Sequence, residues 1–206
     1  CQGMTAVMNA AGAILFIWKE FHQMARENTI MLVGEVSKAP TVFYNEVHQN
    51  FRMAFAVKTV RRNGRSDYPR VNVYGLTEQE AKEYFGKLKV GVFLMVRGMI
   101  TTKLVPRKFK CEKCGVISEA ESLITEVISY GKPVCLEGKY EAAQIAEFAN
   151  NLSVIGTVCT DVIGRDSGSG VSLTQYQLAI NRKYRVAEHE GVIKSDYPWI
   201  KSFGNQ

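Results

Sequence analysis

With 206 residues, 46% of them hydrophobic and 22% charged, and with 17 Gly against 5 Pro, the chain has room for two globular domains and is neither disordered nor fibrous in composition. A formal net charge of +6 and a pI near 9.0 point to a polyanionic partner. Residues 28–103 carry 12 Lys/Arg against 6 Asp/Glu, while 104–149 carry 6 against 7 and 150–206 carry 6 against 5, so that partner is expected mainly on the first module.

In chain order, residues 1–27 read as an N-terminal helical extension. Its apolar run Ala10–Trp18 has no preceding basic residues and is too short to span a bilayer, so no membrane partner is expected. Runs 30–36, 51–60 and 70–74 alternate as half-buried strands, with Asn63-Gly64 marking a hairpin tip. Thr77-Glu-Gln-Glu80 has capping-box spacing. It predicts a short helix with Ala81, Tyr84, Phe85 and Leu88 on one face, closing near Gly86. Strand character resumes at Val92–Ile100, where Gly98 predicts a bulge or barrel bend. Three strands, a helix and a further strand pair is the order of an OB barrel, placed at 28–103. Residues 104–149, of different character, read as an inserted linker.

The chain also repeats itself. Asn28–Val36 is echoed by Asn150–Val158, and Phe55–Arg62 by Leu178–Arg185. Asp67-Tyr-Pro-Arg-Val-Asn-Val-Tyr-Gly75 is echoed by Asp196-Tyr-Pro-Trp-Ile-Lys-Ser-Phe-Gly204. The fold class is therefore mainly β: two tandem OB-fold barrels, the second (150–206) incomplete, with a short helix in the first.

Asn28–Val36, Phe51–Arg62, Tyr68–Gly75, Ala81–Phe85 and Gly91–Lys103, in that order, resemble the bacterial single-stranded DNA-binding protein family. The resemblance covers about 75 residues continuously and recurs over Asn150–Gly204. It departs from the family in its two copies on one chain, its 104–149 insertion and its lack of an acidic partner-binding tail. It implies non-sequence-specific binding of single-stranded DNA in replication, repair, recombination or conjugative transfer, alongside replication or repair proteins. Because relatives assemble four barrels, it also implies a homo-oligomer, a dimer of two-barrel chains.

Such binding needs cations along phosphates and aromatic faces under bases. The first module offers Arg61, Arg62 and Arg65 at the hairpin tip, then Tyr68, Arg70, Asn72 and Tyr74 alternating on one face with Val71 and Val73 on the core side. Arg97 and Lys103 lie at its last strand. The second offers Arg182, Lys183, Tyr184 and Arg185 on the hairpin arm, then Tyr197, Trp199, Lys201 and Phe203. Tyr74 and Phe203, each before a glycine, serve equally well as caps of the barrel core.

Five cysteines without a secretion signal indicate reduced thiols and a cytoplasmic setting. Cys111-Glu-Lys-Cys114-Gly115 has the spacing of two thiolates on a structural zinc, with Cys135 as a third ligand and Glu137, Cys159 or a histidine as the fourth. Ordinary reduced cysteines are the alternative, and no cofactor is required for binding. No nucleophile triad, phosphate loop or acidic metal cluster appears, so an enzyme is not expected. The competing function is a primosome-like adaptor working through protein contacts at strand edges, and a third is an accessory domain of an enzyme subunit.

Overall fold

The computed structural model describes residues 27–61, 63–138, 140, 144, 150–167, 171–182 and 195–205. The expected N-terminal helical extension lies outside them, apart from Glu27. The chain divides into two compact units, Thr29–Ser153 and, in the main, Val154–Gln206.

In the first unit a long strand β1 (Asn28–Asn45) turns into β2 (Asn50–Val60), followed by the short β3 (Ser66–Asp67) and β4 (Arg70–Leu76). Helix α1 (Glu78–Lys87) comes next, then β5 (Phe93–Lys110), β6 (Ile117–Ser129) and β7 (Val134–Cys135). The strands close a barrel. β1 pairs with β5 through Ile30–Glu35 and with β2 from Glu35 onward, β2 pairs with β4, and β5 pairs with β6. A parallel contact, Val71 and Asn72 of β4 beside Val127 and Ile128 of β6, completes the ring. Closure buries the inward face of the long strands: Leu32, Val36, Met53, Val57, Val71 and Leu94 are at most 3% exposed.

β1 can belong to two pairings because it bends. Register shifts fall between Val36, Lys38 and Thr41, and Gly34 stands at the turning point. A Cβ on Gly34 would lie 2.2 Å from the Lys58 carbonyl oxygen, so only glycine admits this approach.

α1 starts as its sequence predicts. Thr77 accepts from the Glu80 amide at 3.3 Å, and the Glu80 carboxylate accepts from the Thr77 amide at 2.9 Å. Of the expected apolar face, Ala81 and Leu88 are buried, Tyr84 is half-buried and Phe85 is exposed.

The boundary expected at Lys103 is not where the sheet ends. β5 runs through it to Lys110, and β6 returns along it in unbroken register from Lys110↔Ile117 to Gly98↔Ser129. Residues 104–110 and 117–129 are thus strand, and β6 supplies the barrel's closing partner. Pro106 and the cysteine knuckle read as linker signals, but here β5 and β6 form a two-stranded ribbon, where a proline can turn its missing donor to solvent.

The second unit repeats β1 to β4. β8 (Asn151–Val154) belongs to the sheet of the first unit, beside β1, and after it come β9 (Thr157–Val158), β10 (Ile163–Ser167), β11 (Val171–Asn181), β12 (Ser195–Asp196) and β13 (Trp199–Asn205). β11 is the centre, pairing antiparallel with each of the last four others. Gly156 takes the part of Gly34: a Cβ there would lie 2.6 Å from the Ala179 carbonyl oxygen.

Candidate nucleic-acid interface

The two units build one local device twice. In the first, the β2–β3 ladder pairs Thr59 with Asp67, and Arg61 then reaches back so that its Nε and Nη2 donate to the two Asp67 carboxylate oxygens. In the second, Ile180 pairs with Asp196, and Arg182 Nε and Nη2 donate to Asp196 at 2.7 and 2.8 Å. Fork-to-fork pairing of this kind fixes geometry as well as charge. The first pair is half-exposed and the second almost fully buried. The mutual hydrogen bond holds the Asp67 carboxyl below the usual carboxylate range and the Arg61 guanidinium above its own.

The ladders correct the repeat alignment. Val57 and Leu178 each donate from the backbone to the proline after the tyrosine, Pro69 and Pro198, so Val57 matches Leu178 and Arg61 matches Arg182. Phe55 does not match Leu178. A shift of two residues leaves every side chain on its own face, so alternation alone does not detect it.

Immediately beyond each Asp comes a tyrosine on the surface. Tyr68 is 60% exposed and Tyr197 is 43% exposed. Trp199 and Phe203 of β13 are exposed as well, with the exposed Lys201 between them. Arg65, on the tip of the first hairpin, and Arg97, on β5, are also exposed. Arg62, Lys183, Tyr184 and Arg185 lie outside the described residues.

Two predicted phosphate contacts are already engaged. Glu126 of β6 is 5% exposed, and its charge is met by Lys103 Nζ at 2.7 Å and, more loosely, by Arg70 Nε at 3.4 Å, while Asn72 Nδ2 donates to it at 3.2 Å. Asn72, expected on the open face, is therefore buried as the carboxylate's partner. Burying a carboxylate without such neighbours would be costly.

Sequence reasoning missed an aromatic and basic group at the far end of the β1–β2 hairpin. Phe43 pairs with Arg52 and Tyr44 with Phe51. The Arg52 guanidinium lies 4.5 Å from the Phe43 ring centre and 5.8 Å from that of Tyr74, and the Tyr44 and Phe51 rings are 4.9 Å apart. The alternation Thr41-Val-Phe-Tyr44 was the available signal, obscured by Pro40 and the bend before it.

The three cysteines proposed as ligands do not converge. Cys111 and Cys114 occupy the β5–β6 tip, whereas Cys135 on β7 pairs with Leu94 at the opposite end of β5. All three are exposed, and no group of three metal-binding side chains occurs among the described residues. The Cys159 thiol donates to the Gln177 carbonyl at 3.4 Å. Backbone amides of Cys114 and Lys113 point at the Cys111 sulfur, which holds that thiol below its usual range.

No protein-family model matches the sequence, and no curated protein matches it. Among solved structures, the crystal structure of the wild-type single-stranded DNA binding protein from Thermus aquaticus aligns over 86% of this chain and 74% of its own, at 16% identity and a TM-score of 0.56. A deletion mutant of that protein aligns over 87% and 77%, at the same identity and score. The chain has the OB fold of these structures. A Plasmodium falciparum SSB complex with single-stranded DNA aligns over 54% of this chain and 96% of its own, at 23% identity and a TM-score of 0.37, too low to bear on the fold.

In OB terms, the Tyr68 hairpin follows the second strand, the Phe43–Arg52 group closes the loop between the first two, and the cysteine knuckle tips the arm between the last two. No helix among the described residues is long and apolar enough to cross a membrane.

Proposed function

We propose that the chain binds single-stranded DNA without reading its sequence. The observation that carries this reading is the recurrence, in both units, of an exposed tyrosine held just past an Arg–Asp fork, Tyr68 after Arg61–Asp67 and Tyr197 after Arg182–Asp196. An aromatic ring kept out of the core by a braced backbone is a platform on which a base stacks, and stacking accepts any base. Trp199 and the Phe43–Arg52 group extend the platforms, while Arg65, Arg97 and Lys201 supply exposed charge for phosphates. The OB fold shared with a protein named for single-stranded DNA binding supports the same reading.

On this reading the chain acts by coating and presenting a strand, not by chemistry on it. It works in the cytoplasm as a homo-oligomer of two-barrel chains, with partners in replication, repair, recombination or conjugative transfer. Tyr68→Ala and Tyr197→Ala test it by oligonucleotide titration. Each is expected to lose about 1–3 kcal/mol of binding, roughly 5- to 150-fold in Kd, with the thermal melt unchanged. Unchanged affinity in both single variants and in the double variant would overturn the stacking assignment.

A further inference from the structure

We propose that Cys111 and Cys114 form half of a tetrahedral zinc site whose other half is the same pair from a second copy of the chain. The sequence Cys-x-x-Cys-Gly folds as a tight knuckle at the ribbon tip. The Gly115 amide donates to the Cys111 carbonyl at 2.9 Å, the Cys111 amide to the Val116 carbonyl at 2.9 Å, and Gly115 sits at φ 70°.

Zinc in a structural site takes four ligands, and this tip presents two. From Leu104↔Leu123 to Lys110↔Ile117, β5 and β6 pair only with each other among the described residues, an arm of about 24 Å at the usual rise per residue. Cys135 is anchored at the other end of β5. A second copy brings an identical pair, and a symmetric interface meets like with like.

Two further features suit a copy of this chain as the partner. Phe109, Val116 and Ile117 around the tip are exposed, with relative exposures of 46%, 62% and 63%, and a lone two-stranded ribbon is stabilised by a neighbour that covers such side chains. The tip is also nearly balanced in charge: Arg107, Lys108, Lys110 and Lys113 stand against Glu112, Glu119 and Glu121, so two copies are not driven apart. Four thiolates around one Zn²⁺ leave a net charge of −2, which the neighbouring lysines offset. Each thiol still protonated releases its proton on binding.

The test uses the full chain without nucleic acid, so it is independent of the DNA-binding reading. The reduced protein is stripped with chelator and titrated with zinc, while bound metal and assembly mass are followed together. Cobalt substitution reports the ligand set through its tetrahedral all-sulfur absorption. One zinc per two chains, a twofold rise in mass on metal addition, loss of both in Cys111→Ser and Cys114→Ser, and retention of both in Cys135→Ser and Cys159→Ser are expected. One zinc per chain with no change in mass, loss of metal in Cys135→Ser, or no zinc retained by the reduced chain would each overturn the proposal. A circular-dichroism melt of the serine variants confirms that the barrel is intact.

Discussion

Glu126 decides what the basic side chains around it are free to do. Lys103 and Arg70 both lean on it, so each has an electrostatic partner before any phosphate arrives. Glu126→Gln keeps the shape, removes the competing charge, and is expected to strengthen binding to a DNA strand and steepen its salt dependence by up to about 0.7 for each further phosphate neutralised, measured by titration across salt. Lys103→Ala has the opposite sign on both counts. It removes a cation from the face and leaves a buried carboxylate with the looser Arg70 as its charged neighbour beside Asn72, so a lower denaturation midpoint and weaker binding are expected together.

Glu80 provides a pH signature. A hydrogen bond from Lys132 and the capping bond from Thr77 bring its carboxyl from 4.5 down to about 2. A carboxyl depressed on folding contributes stability that is fully present above its unfolded value and is lost as pH falls through the folded one. The helix cap should therefore weaken between about pH 4.5 and about pH 2, and Glu80→Gln should remove that step from an acid titration followed by circular dichroism. At this scale the sequence was a partial guide. The capping box and the valine face of β4 were legible because they are local. The burial of Asn72 was not, because its partner Glu126 is 54 positions away.

Among the elements, the bends carry the fold. Gly34 and Gly156 let one strand cross close over the next, and a methyl group at Gly34 would meet backbone, which has little room to move. Gly34→Ala is expected to cost about 1–3 kcal/mol or more, read as a lower denaturant midpoint, with Gly156→Ala the milder of the two. The strands at 30–36, 51–60, 70–74 and 92–100 were legible from alternation, and so was their order, whereas β6 and β7 fell in the stretch read as linker. The extent of β5 and β6 was obscured by residues that usually break strands, Pro106 and the knuckle at Cys111–Gly115. The repeat was legible as a repeat, but its register in β11 was not, since a two-residue slip preserves the pattern on which the alignment depends. Only the ladder and the Arg182–Asp196 fork resolve it.

At the level of the whole molecule, the same arrangement of strands, close-approach glycine, ion-pair fork and exposed tyrosine occurs twice on one chain. On the proposed reading, copying the fork and the tyrosine together connects fold to binding, with the braced backbone offering the exposed ring to a base. The most direct test of that connection is a fluorescence titration of the purified chain with oligo-dT at low and moderate salt, with duplex of equal length as competitor. Tight, salt-sensitive binding, quenching of tryptophan emission and little competition from duplex are the expected results. No binding at low salt, or duplex competing as well as the single strand, would contradict it and favour an adaptor working through protein contacts.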